Sequence, residues 1–385
     1  MLLKNGWIWK QGAFHRKDVR IEQGRISRIE VNISENPGEK VIDITDKYIL
    51  PGIIDCHWHL GMAYDDPNTG VYYHATPMQG AYICASYALR MLKAGFTTVR
   101  ECGTMFGETV ELRNAIKKGL MQGPRLLVCG SAISIPGGHM PSAVHVSGPE
   151  EARRASRELL AQDVDFLKVM LTGGLGRTNE IPDTVEIDLD ELEAICREGK
   201  RVNKQVACHA HGKTAMLNAI KAGASTIEHA TMLDNEVIEG LLEKNMAIVP
   251  TFSPYGLVAE RGKDYGIPQE VCDSAARLFE EKCRRFENAV RQGVNILYGR
   301  DVYLIAPEDI SGEMIFMENA GMKAADIIQS ATENAAEFLG IQRETGMIET
   351  GRSADLIVLN ENPLEDLNYF NEQRSLVLKE GQIIV

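Results

Sequence analysis

The chain has 385 residues, and its 41 Lys and Arg against 54 Asp and Glu leave a formal net charge of −13. That balance repels nucleic-acid phosphates and anionic membrane surfaces, so no nucleic-acid or membrane partner is expected. With 44% apolar and 25% charged residues the composition is that of an ordinary globular protein, long enough for one large α/β barrel with a small domain beside it.

The first residues, MLLKNGWIWKQG, carry Lys4 and Lys10 where a secretory signal would need an apolar stretch, and no run approaches the ~18 apolar residues of a membrane span. Cys56, Cys84, Cys102, Cys129, Cys196, Cys208, Cys272 and Cys283 are scattered singly with no CxxC, which predicts a reducing, cytoplasmic setting. Residues 1–48 read as short strands and turns: LLKNGWIWKQG, DVRIEQGRISRIEV, VIDITDKYIL. The tail from 346 to 385 has the same character, in MIETGRSADLIVLN and SLVLKEGQIIV. A short meander buries too little to stand alone, so the two ends are expected to form one composite β-sandwich domain.

From 49 to 345, eight short apolar runs alternate with helical stretches. The runs are 48–56, 95–101, 125–133, 164–170, 205–210, 225–230, 246–252 and 294–301. Between them, segments such as AYICASYALRMLKAG, DLDELEAICREGKRVN and KTAMLNAIKAG end at a Gly or Asn suited to the position after a helix. Eight strand–helix units in series predict a closed (β/α)8 TIM barrel with its site at the strand C-termini. An open doubly wound sheet is the alternative; GGLGR at 173–177 lacks the spacing of a dinucleotide loop.

The strand ends carry an unusual set of side chains. The first ends in Asp55-Cys56-His57-Trp58-His59, the fourth holds Lys168, the fifth ends in His209-Ala210-His211, the sixth in His229 and the eighth in Asp301. His57 and His59, two apart on an extended segment, face the same side and can share a metal ion. A lone histidine at a strand end is ordinarily a satisfied polar residue, but five of the nine histidines at three strand ends make a site. Lys168 sits inside FLKVM, where an ammonium pays a large desolvation cost unless it is paired or neutralised. It is either half of a buried ion pair or a neutral amine that has taken up CO2 as a carbamate.

These motifs, with the entry PGIIDCHWHL, GFTTVRE, Gly137-Gly138-His139, ATENAAEFLGI and the exit GMIETGRSADLIVLNENPLEDL, resemble the amidohydrolase superfamily along the whole chain. The closest branch is that of prolidase-like and imidazolonepropionase-related metal-dependent hydrolases. The resemblance implies two divalent metal ions, zinc first, with His57, His59 and Asp301 on one, His209 and His229 on the other, and carboxylated Lys168 between them. His209 and His211 both fit the spacing; the family pattern favours His209 and leaves His211 to the substrate. His139 resembles a substrate-binding histidine of the branch. Relatives usually carry Gly-Thr-Asp where this chain has Gly299-Arg300-Asp301, and the His-Gly element after that Asp is absent.

The resemblance therefore implies an enzyme that hydrolyses a carbon–nitrogen amide bond through a metal-activated hydroxide. Asp301 would serve as proton acceptor and donor, and His139 or His211 would stabilise the oxyanion. The expected partner is a small-molecule amide, an N-acyl amino acid or dipeptide-like compound, and a homo-oligomer is expected. Arg177, Tyr255 and Arg300 are further candidates for substrate binding, the two arginines as bidentate partners of a carboxylate. Tyr64, Asp65, Asp66, Tyr72, Tyr73 and His74 are expected to line the same pocket. The alternatives are a mononuclear deaminase or cyclic-amide hydrolase, a lactonase or phosphotriesterase, and a catalytically silent scaffold. The deaminase reading wants Glu three residues beyond His209, where this chain has Gly212.

Overall fold

A computed structural model of the chain describes residues 1–62, 75–174, 181–301 and 304–385. The first five strands are β1 (Leu2–Lys10), β2 (Ala13–Glu22), β3 (Arg25–Glu30), β4 (Val41–Asp43) and β5 (Tyr48–Pro51). The next ten are β6 (Ile53–Trp58), β7 (Phe96–Glu101), β8 (Arg125–Val128), β9 (Ile133–Ser134), β10 (Val144–His145), β11 (Phe166–Met170), β12 (Gln205–Ala210), β13 (Thr226–His229), β14 (Ala247–Val249) and β15 (Asn295–Ile296). The chain ends in β16 (Leu356–Leu359), β17 (Arg374–Lys379) and β18 (Gln382–Ile383).

Both chain ends meet in one sheet of order β18-β17-β16-β5-β1-β2-β3, with β4 also on β1. Strands from both termini are thus joined by hydrogen bonds in one sheet. β1 can serve three neighbours because its register shifts between Leu3 and Gly6, where Asn5 takes φ 67°, and such a bulge re-aims the strand. Its first half pairs with β4 and its second with β5.

The middle of the chain forms parallel sheets, β6-β7-β8 and β10-β9-β11-β12-β13-β14-β15. Every residue of β6, β7 and β11 is buried, as parallel strands covered on both faces require. Hydrogen bonds link the two sheets on both sides, from just before β11 to β8 and from beyond β15 to β6. Asp165 N donates to Val128 O at 2.7 Å, and on the other side Cys56 N donates to Tyr298 O at 2.9 Å and Asp301 N to His57 O at 2.7 Å.

The segments AYICASYALRMLKAG, DLDELEAICREGKRVN and KTAMLNAIKAG fall in α1 (Pro77–Ala94), α4 (Leu189–Arg201) and α5 (Lys213–Ala222), and the chain also forms α2 (Thr109–Lys117), α3 (Pro149–Ala161), α6 (Asn235–Lys244), α7 (Ser253–Arg261), α8 (Gln269–Gln292), α9 (Ser311–Asn319), α10 (Ala324–Ser330) and α11 (Glu333–Phe338). Thr76 and Gln79 form a capping box at α1, and Asp188 and Glu191 one at α4. Gly95 closes α1 at φ 113° and turns the chain straight into β7.

Three runs divide differently from expectation. The run 125–133 splits into β8 and β9, which belong to different sheets. The run 48–56 is two strands in two sheets, handed over at Gly52. Its amide donates to Asp355 O while that of Ile53 donates to Gly95 O, and a Cβ at Gly52 would stand 2.2 Å from the Thr97 side chain. The run 294–301 is a strand only at Asn295–Ile296; beyond it Leu297, Tyr298 and Asp301 donate in turn to Ile248, Ser330 and His57, so no single ladder continues. Gly299 lies against His57 there, and Asp301 takes φ 60°. The departure from extended geometry aims the Asp301 carboxylate at the histidines.

Candidate active site and metal centre

The register of the parallel strands sets the site. Met170 of β11 pairs with His209 of β12, and Ala210 pairs with His229 of β13, so the ligand-type residues share one end of neighbouring strands. Oδ1 of Asp301 lies 3.8 Å from Nε2 of His57 and 3.7 Å from Nε2 of His59, and Oδ2 lies 3.9 Å from Nδ1 of His229. Donor atoms of His57, His229 and Asp301 stand within 4.8 Å of one another, and so do those of His209, His211 and His229. One pair of clusters thus shares His229.

Most of these rings are fixed through one nitrogen. Nδ1 of His57 meets Glu228 Oε2 at 2.7 Å, Nδ1 of His59 meets Gly103 O at 2.7 Å, and Nδ1 of His229 meets Thr251 Oγ1 at 2.6 Å. The opposite nitrogen then remains for a ligand, the arrangement that metal-binding histidines use. Burial pushes every one of these imidazoles below its ordinary range, His59 to about 3. They are therefore neutral at pH 7 and need lose no proton to bind a cation.

Lys168 is fully buried, with Nζ 3.5 Å from Nε2 of His57. Among the described residues no carboxylate oxygen lies within 4.0 Å of it, so the ion-pair reading of Lys168 has no partner there. The neutral histidines, the Asp301 carboxylate and this unpaired amine are a donor set suited to divalent cations.

His211 is held differently from His209. Its Nδ1 lies 2.9 Å from Thr231 Oγ1, and Tyr255 Oη is within 3.1 Å of both ring nitrogens. Nε2 of His209 has a looser contact of 3.3 Å with Gly173 O, and its ring stacks on His139 at 4.3 Å between centres. His139 is anchored through its amide, which donates to Glu186 at 2.8 Å. Burial raises the Tyr255 hydroxyl well above the ordinary phenol range, so it remains a proton donor.

Arg300 is not available to a substrate. It is wholly buried, donates to Asp55 Oδ2 at 2.8 Å and to Asp309 O at 2.6 Å, and packs with its guanidinium 4.1 Å from the Trp58 ring centre and 3.9 Å from that of Phe96. These contacts hold it away from the histidines that Asp301 approaches. Arg177 and the expected pocket residues Tyr64, Asp65, Asp66, Tyr72, Tyr73 and His74 lie outside the described residues.

The sequence reading missed the groups beneath these histidines. Arg100 donates to both oxygens of Glu228 at 2.8 Å, and Glu228 in turn holds His57. Burial works to raise the Glu228 carboxyl, but Arg100 and the His57 ring hold it well below its ordinary range. Glu101, pushed up to about 8 by burial, accepts from Gly103 N and Thr109 Oγ1 at 2.8 Å and so fixes the turn that holds His59. The signal was the one used for Lys168, a charged residue inside an apolar run. His57, Cys102 and Glu228 also cluster, but burial lifts the Cys102 thiol to about 12 and Glu228 is taken by Arg100.

Residues 48–384 match the amidohydrolase family. This chain belongs to that family. It is similar to ochratoxinase from Aspergillus niger, 30% identical over 87% of this chain and 75% of the relative. A probable imidazolonepropionase from Bos taurus is 23% identical over 94% and 87% of the two chains. A solved Xaa-Pro dipeptidase with bound methionine superposes with a TM-score of 0.91 at 32% identity, covering 99% of this chain and 98% of that one. A prolidase complexed with N-methylphosphonate-L-proline gives 0.90 at 27% identity over the same shares. The chain is an amidohydrolase of the prolidase-like branch, a hydrolase acting on carbon–nitrogen bonds, in a metal-dependent family. Among the described residues no helix is long and apolar enough to cross a membrane.

Proposed function

We propose that this amidohydrolase cleaves the amide bond of an N-acyl amino acid or dipeptide-like substrate at a binuclear site. The two parallel sheets would be arcs of one closed (β/α)8 barrel, with the sheet of the two termini as its companion domain. The observation that carries the reading is Lys168, buried without a carboxylate partner among the described residues and 3.5 Å from His57. As a carbamate it would be an anion with two oxygens, able to serve both the His57, His59 and Asp301 group and the His209 and His229 group. His209 is preferred to His211 as ligand because both nitrogens of His211 are within reach of Tyr255.

Bound divalent ions would lower the pKa of a water toward about 7 and polarise the scissile carbonyl. The residues supply the rest. Asp301, the most exposed of the cluster at 15%, accepts the proton of the attacking water and delivers it to the leaving nitrogen. The protonated Tyr255, with His211 behind it, donates to the carbonyl oxygen as charge develops there. His139, stacked on His209, presents its ring edge to the substrate. The names of the relatives support an amide: ochratoxinase, Xaa-Pro dipeptidase and prolidase.

Zinc-loaded protein incubated with a panel of N-acyl amino acids and dipeptides should release the free amino acid. Turnover of lactones or phosphotriesters with no amide cleavage would replace this reaction class. Fewer than about one equivalent of zinc, manganese or cobalt per chain after purification without chelator would remove the metal centre itself.

A further inference from the structure

The turn that follows β14 is held from both sides by two buried charged residues. Lys282 of α8 donates from Nζ to the carbonyls of Pro250 and, at 3.1 Å, Thr251, and its ammonium lies 5.0 Å from the Phe252 ring centre and 4.9 Å from that of Tyr255. Glu313 of α9 accepts from Phe252 N and Ser253 N at 2.7 Å and from Ser253 Oγ at 2.6 Å. The lysine takes the carbonyls and the glutamate takes the amides of four consecutive residues. Both side chains are inside the protein, Lys282 at 2% and Glu313 at 0% exposure.

A turn does not ordinarily need two buried ionisable side chains, each of which burial pushes toward its neutral form. This one carries Thr251, a non-glycine residue at φ 47°, which is a strained conformation that persists only where its surroundings over-determine it. Thr251 Oγ1 is the partner of His229 Nδ1, and four residues on Tyr255 Oη reaches His211. His229 itself takes φ 71° and Ala230 φ 47°, so the strand end that Thr251 supports is strained as well.

We infer that Lys282 and Glu313 are positioning residues that clamp the 250–253 turn so that Thr251 fixes the ring of His229 and Tyr255 meets His211. The inference rests on the reading of His229 as a metal ligand. Neither residue touches the reacting atoms. They act through Thr251 and Tyr255, as the outer partners of metal-binding histidines do, whose loss typically costs 10–100-fold in metal affinity or activity.

The test is a double-mutant cycle of Lys282→Met and Thr251→Val, read as zinc affinity by chelator competition on folded, monodisperse protein and as kcat and KM on the best amide. Each single variant should bind zinc about tenfold or more weakly and lose kcat with little change in KM. The double variant should be no worse than the poorer single one, since both remove the same support. Thr251→Ser, which keeps the hydroxyl, should restore wild-type affinity. Where Lys282→Met does not fold, Glu313→Gln takes its place in the cycle. Wild-type zinc affinity in the variants, or additive losses, overturns the clamp while leaving the metal centre standing. No zinc on the wild-type protein overturns the metal reading instead, and the clamp with it.

Discussion

A carboxylate oxygen of Glu228 lies 2.7 Å from Nδ1 of His57, while Arg100 holds both oxygens of that carboxylate at 2.8 Å. The three are fully buried, so the ring of His57 is set by a charge pair that cannot be replaced by water. Its Nε2 is thereby turned to Asp301 and Lys168.

Glu228→Gln keeps the shape and removes the charge. It should weaken metal binding 10–100-fold and, by leaving the Arg100 guanidinium buried without its anion, cost about 3 kcal/mol or more of stability. Chelator competition and urea unfolding measure the two effects. Unchanged metal affinity would show that Glu228 supports the fold alone.

Lys168→Ala distinguishes a carbamate from an ion pair. Because no carboxylate is within 4.0 Å among the described residues, its removal strands no buried anion there, so the metal-free protein should unfold at the wild-type urea concentration or above it. Metal content and amide turnover should fall together. A destabilised apo-protein that still binds two metals would contradict the bridging role.

Arg300→Met tests a structural arginine. Asp55 is left buried without its partner, and burial already raises that carboxyl, so a stability loss of roughly 3 kcal/mol is expected. The KM for substrates with a free carboxylate should not respond more than that for amidated ones. A selective rise for the carboxylates would return Arg300 to the substrate site.

Gly174→Ala probes His139. A Cβ there would stand 2.5 Å from Cε1 of the imidazole, so the ring must leave its stack on His209. The expected result is a fall in kcat/KM of about tenfold or more with metal content retained. Wild-type kinetics would remove His139 from the reaction.

Asp355 links the terminal sheet to the parallel strands through Lys379 and Arg125, which hold its carboxyl down at about 2 against the opposing effect of burial. A carboxyl with a lowered folded-state pKa stabilises the protein fully above its unfolded value near 3.8 and loses that contribution as pH falls through about 2. The contribution is about 2 kcal/mol at neutral pH. Apo wild-type protein and Asp355→Asn should therefore differ most above pH ~5 and converge toward pH ~2 in urea unfolding. A gap that stays constant across that range would be inconsistent with an ionised Asp355.

The residues that gather in the site were legible in the sequence because the histidines and Asp301 close short apolar runs, where period and position announce a strand terminus, and because Lys168 is a charge inside one. His57, His59, Lys168, His209, His229 and Asp301 needed only that reasoning and a resemblance to be grouped. The roles of the buried charges were not legible. Arg300 and Asp301 are neighbours in sequence, yet one is sealed between Trp58 and Phe96 against Asp55 and the other faces the histidines. Lys282 and Glu313 lie on helices with nothing local to mark them, and they meet the 250–253 turn only when α8 and α9 pack against it. Hydrophobic periodicity fixes which way a side chain points, and so the sequence by itself determined which residues gather at the strand ends. Which charge is paired with which depends on distance and desolvation, quantities that exist only after distant segments have packed, and there the tertiary structure decided.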